Sequence, residues 1–224
     1  MVTVSQIVKK TIDSRPMLQE SLIEEIVNFS NLAKKLKPRI ESELEEKVKP
    51  SAIIMALRRH AEGLQKKTMV QKPFKFSPEI IMKTNLCDVC VVKTPSALEM
   101  IETIHKMVDY EKGETFNVIQ GNYEITIVTS QKHLAQLKNI LKKEKILNIE
   151  KDLVSLTLGL TKDFLYTPGI LSFATRKLAW ENINIFENIS TMTELIFIIA
   201  EKDAVRAYNA FQEMLKDYST REIT

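Results

Sequence analysis

The sequence predicts an α+β protein, with a helical bundle over residues 1–66 followed by two βαββαβ units. Three observations predict it. Apolar residues recur at helical spacing through the first third of the chain. Strand-like and helix-like patterns alternate from residue 80 onward. The order of those patterns then repeats after roughly 70 residues, the mark of an internal structural repeat.

The helical segment reads as follows. Ile7, Val8 and Ile12, then Leu18, Leu22, Ile23, Ile26 and Val27, fall three and four apart. That spacing places them on one helix face. Pro16 lies between the two groups and suits the first turn of a second helix. Asn28-Phe29-Ser30 interrupts the pattern, and Ser30 is a candidate N-cap for a helix carrying Leu32, Ala33, Leu36, Ile40 and Leu44. Pro38 falls inside that stretch. Either the helix bends there, or one helix ends near Lys37 and another begins at Pro38. Lys47-Val48-Lys49 is a connector, and Pro50-Ser51 opens a last helix with Ile53, Ile54, Leu57 and Leu64 inward.

Residues 67–79 hold two prolines and little periodicity, which reads as a linker. Residues 80–150 form the first unit. Ile80-Ile81-Met82 and residues 87–92 are strand-like, and Pro95-Ser96 opens a helix with Leu98, Ile101, Ile104, His105 and Val108. Residues 116–119 are a strand, Gly121-Asn122 a hairpin turn, 123–128 a strand, 132–141 a helix and 145–149 a closing strand. This is the ferredoxin-like order.

Residues 151–224 form the second unit. An apolar strand leads into a Thr167-Pro168-Gly169 turn, a helix follows, then a short strand built on Asn182-Ile183-Asn184-Ile185, an apolar strand and an amphipathic helix. Only residues 218–224 remain for a final strand. The first unit carries Thr94-Pro95-Ser96 at the matching turn, without a glycine.

Residues 153–215, with their strand, Thr-Pro-Gly turn, Asn-Ile pair and hydroxyl-rich Ser190-Thr191 before the last strand, resemble an ACT domain, most closely those of aspartate kinases. The resemblance implies a tandem of ferredoxin-like ACT domains that sense a small molecule, an amino acid, and do no chemistry. ACT domains place a glycine at the first strand-to-helix turn, where a ligand or neighbouring backbone comes close. The resemblance therefore implies ligand contacts from Thr167, Pro168, Gly169 and Ile170, with Asn184, Ile185, Thr191 and Thr193 beside them. A helix N-terminus there would present free N–H groups and the positive dipole end to a carboxylate. The plain alternative is that Pro168-Gly169 only makes a tight turn. The resemblance also implies pairing between sheets, hence a homodimer or higher assembly.

Composition bounds the rest. The chain has 224 residues, 5 glycines and 2 cysteines. No Gly-rich phosphate loop occurs, and phosphoryl transfer needs one with metal ligands. No enzyme activity, cofactor or metal is expected. No run of 18 apolar residues suggests a membrane span, no secretion signal is visible, and the expected compartment is the cytoplasm. Cys87-Asp88-Val89-Cys90 lacks a second cysteine pair, and residues three apart on a strand face opposite ways, so both thiols read as inert.

Charge is uneven. Residues 1–72 hold 14 Lys and Arg against 9 Asp and Glu, an excess of +5, and the remainder hold 18 against 20. Arg58, Arg59 and His60 cluster on the last helix of the bundle. The phrase around residues 28–60 is similar to small helical, helix-turn-helix-like domains of archaeal ACT-type regulators. That similarity implies DNA as a partner, with a solvated packing domain as the alternative. The expected function is an amino-acid-responsive regulator, of transcription or of a biosynthetic enzyme. A purely structural dimerisation module is the remaining option.

Overall fold

A computed structural model describes residues 2–68, 76–161 and 169–220. The chain divides into two compact units, residues 1–72 and 73–224. Among the described residues no helix is long and apolar enough to cross a membrane.

The first unit holds α1 (Val4–Asp13), α2 (Pro16–Ile23), α3 (Phe29–Leu44) and α4 (Pro50–Thr68). Each start has a local cause. Thr3 and Gln6 cap α1 reciprocally, and Pro16 opens α2. The cap of α3 is Asn28 rather than Ser30: its Oδ1 accepts the Asn31 N–H at 3.0 Å. Asn28 precedes the first helical turn, so its side chain can reach the free N–H groups there, while Ser30 is already helical. Helix α3 runs through Pro38 unbroken. Pro38 is exposed, so the carbonyl that loses its partner faces solvent. The four helices enclose Ile7, Val8, Ile12, Leu22, Leu36, Ile40, Ile53 and Leu57.

The second unit holds β1 (Phe76–Val92), α5 (Pro95–His105), β2 (Phe116–Gln120), β3 (Glu124–Ser130), α6 (Leu134–Ile140), β4 (Ile146–Leu160), α7 (Ile170–Trp180), β5 (Ile185–Ser190), β6 (Glu194–Ala200) and α8 (Ala204–Thr220). Its strands form one antiparallel sheet, ordered β2-β3-β1-β4-β6-β5. Two expectations are corrected here. Residues 76–79 belong to a strand, not a linker. Residues 145–149 and the strand after 151 are a single element, so residue 150 lies inside β4.

Strands β1 and β4 are long because each serves both repeats. The second half of β1 pairs with β3 and with the first half of β4. The first half of β1, Phe76 to Lys83, pairs with the second half of β4, from Leu160 to Ser155. The strand missing from the end of the second repeat is thus supplied from before the first.

Both long strands break register midway. Asn85 and Asp152 adopt left-handed backbone, with φ of 56° and 51°, and the β1–β4 register shifts on either side of Leu86. Asn and Asp tolerate this conformation best among non-glycine residues. Gln131 secures the second bend, accepting from the Asp152 N–H at 2.7 Å and donating to its carboxylate at 3.0 Å. Such irregularities bend a strand and increase its twist.

The bends fold the sheet back on itself. In sheet order β3 and β5 are four spacings apart, about 19 Å across a flat sheet. Yet Val128 of β3 shares one buried cluster with Ile196 and Ile198 of β6, Phe186 and Ile189 of β5 pack against it, and the Thr126 side chain lies beside the Glu187 carboxyl. The two half-sheets therefore stack, with Leu86, Val128, Leu153, Ile196 and Ile198 buried between them. Helices cover the outer faces. Helices α5 and α6 close over Val89, Val91, Ile125 and Ile127. Helices α7 and α8 close over Val154, Leu156, Leu158 and Phe197, with Phe211 against Phe197 at 5.2 Å.

Candidate functional site

The two repeats share a backbone frame at the end where strand gives way to helix. Lys93 N donates to Tyr123 O at 2.8 Å in the first, and Leu160 N donates to Thr193 O at 2.7 Å in the second. Each hairpin closes alike, Gly121 N to Glu124 O at 3.0 Å and Thr191 N to Glu194 O at 2.9 Å. Against this common frame the strand-to-helix passages differ. The first runs directly from Lys93 to a helix starting at Pro95. The second runs from Leu160 to a helix starting at Ile170, a passage eight residues longer.

The first turn is occupied by its own chain. Thr94 Oγ1 accepts the Ala97 N–H at 3.0 Å and donates to Glu144 Oε2 at 2.7 Å. Ser96 Oγ donates to Glu144 Oε1 at 2.6 Å. A carboxylate thus lies against the N-terminus of α5, where the helix dipole favours it. The Ser96 and Thr94 hydroxyls hold the Glu144 pKa below the ordinary carboxylate value.

The second turn is different. Gly169 caps α7 with φ of 94°, a backbone region favouring glycine, and among the described residues no side chain caps this helix. Thr167 and Pro168 lie outside the described residues, as does most of the passage before them. The Thr191–Thr193 hairpin lies at the same end of the sheet, held to β4 through Thr193 O. The Thr191 hydroxyl accepts the Glu194 N–H at 3.1 Å and so serves its own turn.

The remaining expected contacts are elsewhere. Asn184 is exposed and lies beyond the C-terminal end of α7. An 11-residue helix separates it from Gly169, about 16 Å of axis. Residues 182–184 are a connection, not a strand: Asn182 has φ of 54°, and β5 begins at Ile185. Ile170 is buried in the second repeat's core and Ile185 packs on the same cluster. Both read as packing residues.

One carboxylate that sequence reasoning passed over holds the first repeat's long α5–β2 connection. Glu114 accepts from Lys132 Nζ and from the Asp109 N–H at 3.1 Å, and lies 2.7 Å from His133 Nε2. The Lys132 and His133 contacts pull its pKa down to about 2. The signal was Lys132-His133 just after β3, opposite an acidic residue in a Gly-bearing loop.

The cysteines lie on opposite faces of β1. Cys87 is in the core under α5 and α6, and burial raises its thiol to about 11. Cys90 faces the other half-sheet beside Glu124. Among the described residues no group of three His, Cys, Asp or Glu is placed to hold a metal.

In the helical unit, Arg58 and Arg59 lie on the exposed face of α4, with the Arg58 guanidinium 5.9 Å from the Phe29 ring centre. His60 turns inward instead, Nε2 3.0 Å from Asp13 Oδ1 of α1. Lys37 and Arg39 pair with Glu41 and Glu43 along α3.

No protein-family model matches this chain, and no curated protein matches it significantly. Solved structures do. The ligand-free regulatory subunit of aspartate kinase from Thermus thermophilus matches with a TM-score of 0.50 at 13% identity, over 63% of this chain and 98% of that one. The Clostridium acetobutylicum aspartate kinase matches with a TM-score of 0.52 at 17% identity, over 65% of this chain and 36% of that one. The Synechocystis aspartate kinase matches with a TM-score of 0.51 at 14% identity, over 73% of this chain and 31% of that one. At these identities the likeness is one of fold, that of regulatory regions of aspartate kinases.

Proposed function

We propose that this chain is a non-catalytic regulatory protein whose tandem ACT-like repeats sense a free amino acid at the second strand-to-helix turn. The carrying observation is the difference between the two turns. The first already holds a carboxylate, that of Glu144, on the N-terminus of α5. The second begins at a left-handed glycine with no side-chain cap among the described residues. A ligand carboxylate suits that helix end. The likeness to a Thermus thermophilus regulatory subunit that matches along nearly its whole length supports a free-standing regulatory role.

Assembly follows from the sheet. Strands β2 and β5 are its two edges, and edge backbone tends to find a partner. We expect a homodimer or higher species, which light scattering of the full chain would reveal. The test of ligand sensing is a thermal-shift screen of the twenty amino acids. A ligand at a hundredfold excess over its Kd stabilises by about 2.7 kcal/mol. At least one amino acid should raise the midpoint, Gly169→Val should erase the shift, and Glu144→Ala should keep it. A silent screen would favour a purely structural pairing module.

For the helical unit a second reading rests on Arg58 and Arg59, exposed on α4 within the +5 region. In this reading they contact nucleic acid phosphate. Affinity for duplex DNA should then fall by about 0.9 log unit per log unit of salt for each contact, and Arg58→Ala with Arg59→Ala should lower that slope. Absence of binding at about 50 mM salt, where non-specific binders still hold, would leave an enzyme subunit as the target.

A further inference from the structure

The stacked half-sheets meet through two chemistries. Leu86, Val128, Leu153, Ile196 and Ile198 make an apolar contact. Beside it the same faces carry carboxyls. Asp88 of β1 is 5% exposed and receives no hydrogen bond on its side chain among the described residues, its carboxyl oxygens keeping only a small contact with solvent. Glu150 of β4 is its cross-strand partner, and Glu187 of β5 reaches its neighbourhood from the opposing half. Glu124 of β3 is near Glu187 and Cys90. Strand β2 carries no charged residue and contributes Ile119, while β6 contributes Ile196 and Ile198 and carries Glu194 on the same face, at its start. The charged groups acting on Asp88 are carboxylates, while the Lys151 ammonium acts on Cys87, on the opposite face of β1.

This is an unusual thing to bury. Like charges at a cross-strand position repel, and a carboxylate held largely out of water without a protein donor is disfavoured. A proton on one carboxyl removes both problems. We propose that Asp88, Glu150 and Glu187 form a proton-operated latch between the two half-sheets, closed when Asp88 is protonated and loosened when it ionises. The proposal is independent of the ligand reading, since no group at the Gly169 turn takes part.

The electrostatics agree with the geometry. Burial, then Glu187 and Glu150, push Asp88 up to about 7, and burial also raises Glu187. The sign follows. In the opened state Asp88 returns to the ordinary carboxylate value of 3.8, so the closed state holds the extra proton. The stabilisation is complete below that value and is lost as pH rises through about 7. Between pH 6 and pH 8 the closing equilibrium should weaken about tenfold by this linkage.

Hydrogen exchange of the full chain, corrected for intrinsic rates, tests the latch at pH 6 and pH 8. Amides of β3 and β5 should lose about tenfold in protection across that interval, by the same linkage. Asp88→Asn, which mimics the protonated form, should make protection equal at both values. Should that variant fail to fold, Glu187→Gln keeps Asp88 and removes its facing charge, and the midpoint of the change should move to lower pH. Equal protection in the native chain, an unaltered dependence in Asp88→Asn, or an unmoved midpoint in Glu187→Gln would each overturn the proposal.

Discussion

Strand donation makes a demand that can be measured. If Phe76 to Lys83 supply the last strand of the second repeat, that repeat should be crippled without them. Five register pairs join this half of β1 to β4: Phe76, Ile80, Ile81, Met82 and Lys83 with Leu160, Leu158, Thr157, Leu156 and Ser155. At about 1 kcal/mol net per backbone hydrogen bond, the ladder contributes roughly 4 kcal/mol. Ile80, partly buried against the Val154–Leu158 cluster, adds about 1 kcal/mol. The sum of about 5 kcal/mol rivals the whole stability of a marginal domain. The assay compares a fragment of residues 73–224 with one of residues 84–224 by urea unfolding. With a slope of about 2 kcal/mol/M, the shorter fragment should unfold about 2.5 M earlier, or fail to fold. In the full chain, Ile80→Asp should cost about 2 kcal/mol, by lost burial and a desolvated carboxylate. Ile81→Asp, on a residue 41% exposed, should cost about 0.5 kcal/mol or less. Equal midpoints for the two fragments, or equal costs for the two variants, would refute the strand exchange.

Other outcomes follow from single sites. Asn28→Ala should cost the helical unit about 1 kcal/mol by loss of the α3 cap, while Ser30→Ala should be nearly neutral, as circular dichroism melts can show. Pro38→Ala should stabilise that unit by about 1 kcal/mol or more, since it restores a helix hydrogen bond on the exposed face. Glu114 has a folded pKa near 2, below its ordinary 4.5, so its contribution is present above pH 4.5 and lost as pH falls toward 2. Glu114→Gln should therefore lower stability at neutral pH and flatten the acid limb of a melting-temperature profile. Phe211→Ala should cost about 3–5 kcal/mol, since both Phe211 and Phe197 are fully buried.

The helices and the repeat were legible in the sequence because their signals are local. Caps, prolines at first turns and apolar spacing each act within a few residues. The long strands were not legible, for a physical reason. Lys83-Thr84-Asn85 and Glu150-Lys151-Asp152 look like strand ends, since polar residues interrupt the alternation there. They are instead bends at which one strand changes partners. The donor of the missing strand was hidden as well, because residues 76–83 lie far in sequence from the residues they pair with. Asn182-Ile183-Asn184 misled in the other direction. Ile183 is buried between two exposed asparagines, which copies the alternation of a strand, but its burial anchors a connection. The Gly169 turn was legible as a glycine position. Its depth after Leu160 was not, because the apolar residues of the long passage read as more strand.

The two strand-to-helix turns differ in a way that bears on the proposed ligand site. Both repeats inherit the same frame of strand end, hairpin and helix start. In a symmetric pair each helix N-terminus would carry the same demand for a negative group. The first repeat meets that demand with Glu144, positioned by the start of β4, and with the hydroxyls of Thr94 and Ser96. A turn satisfied in this way gains little from an added carboxylate, because the ligand must first displace one already held in place. Among the described residues no carboxylate is bonded at the start of α7 as Glu144 is at the start of α5. In the proposed reading the Gly169 helix start, uncapped by a side chain among the described residues, is therefore the one that a ligand carboxylate would answer.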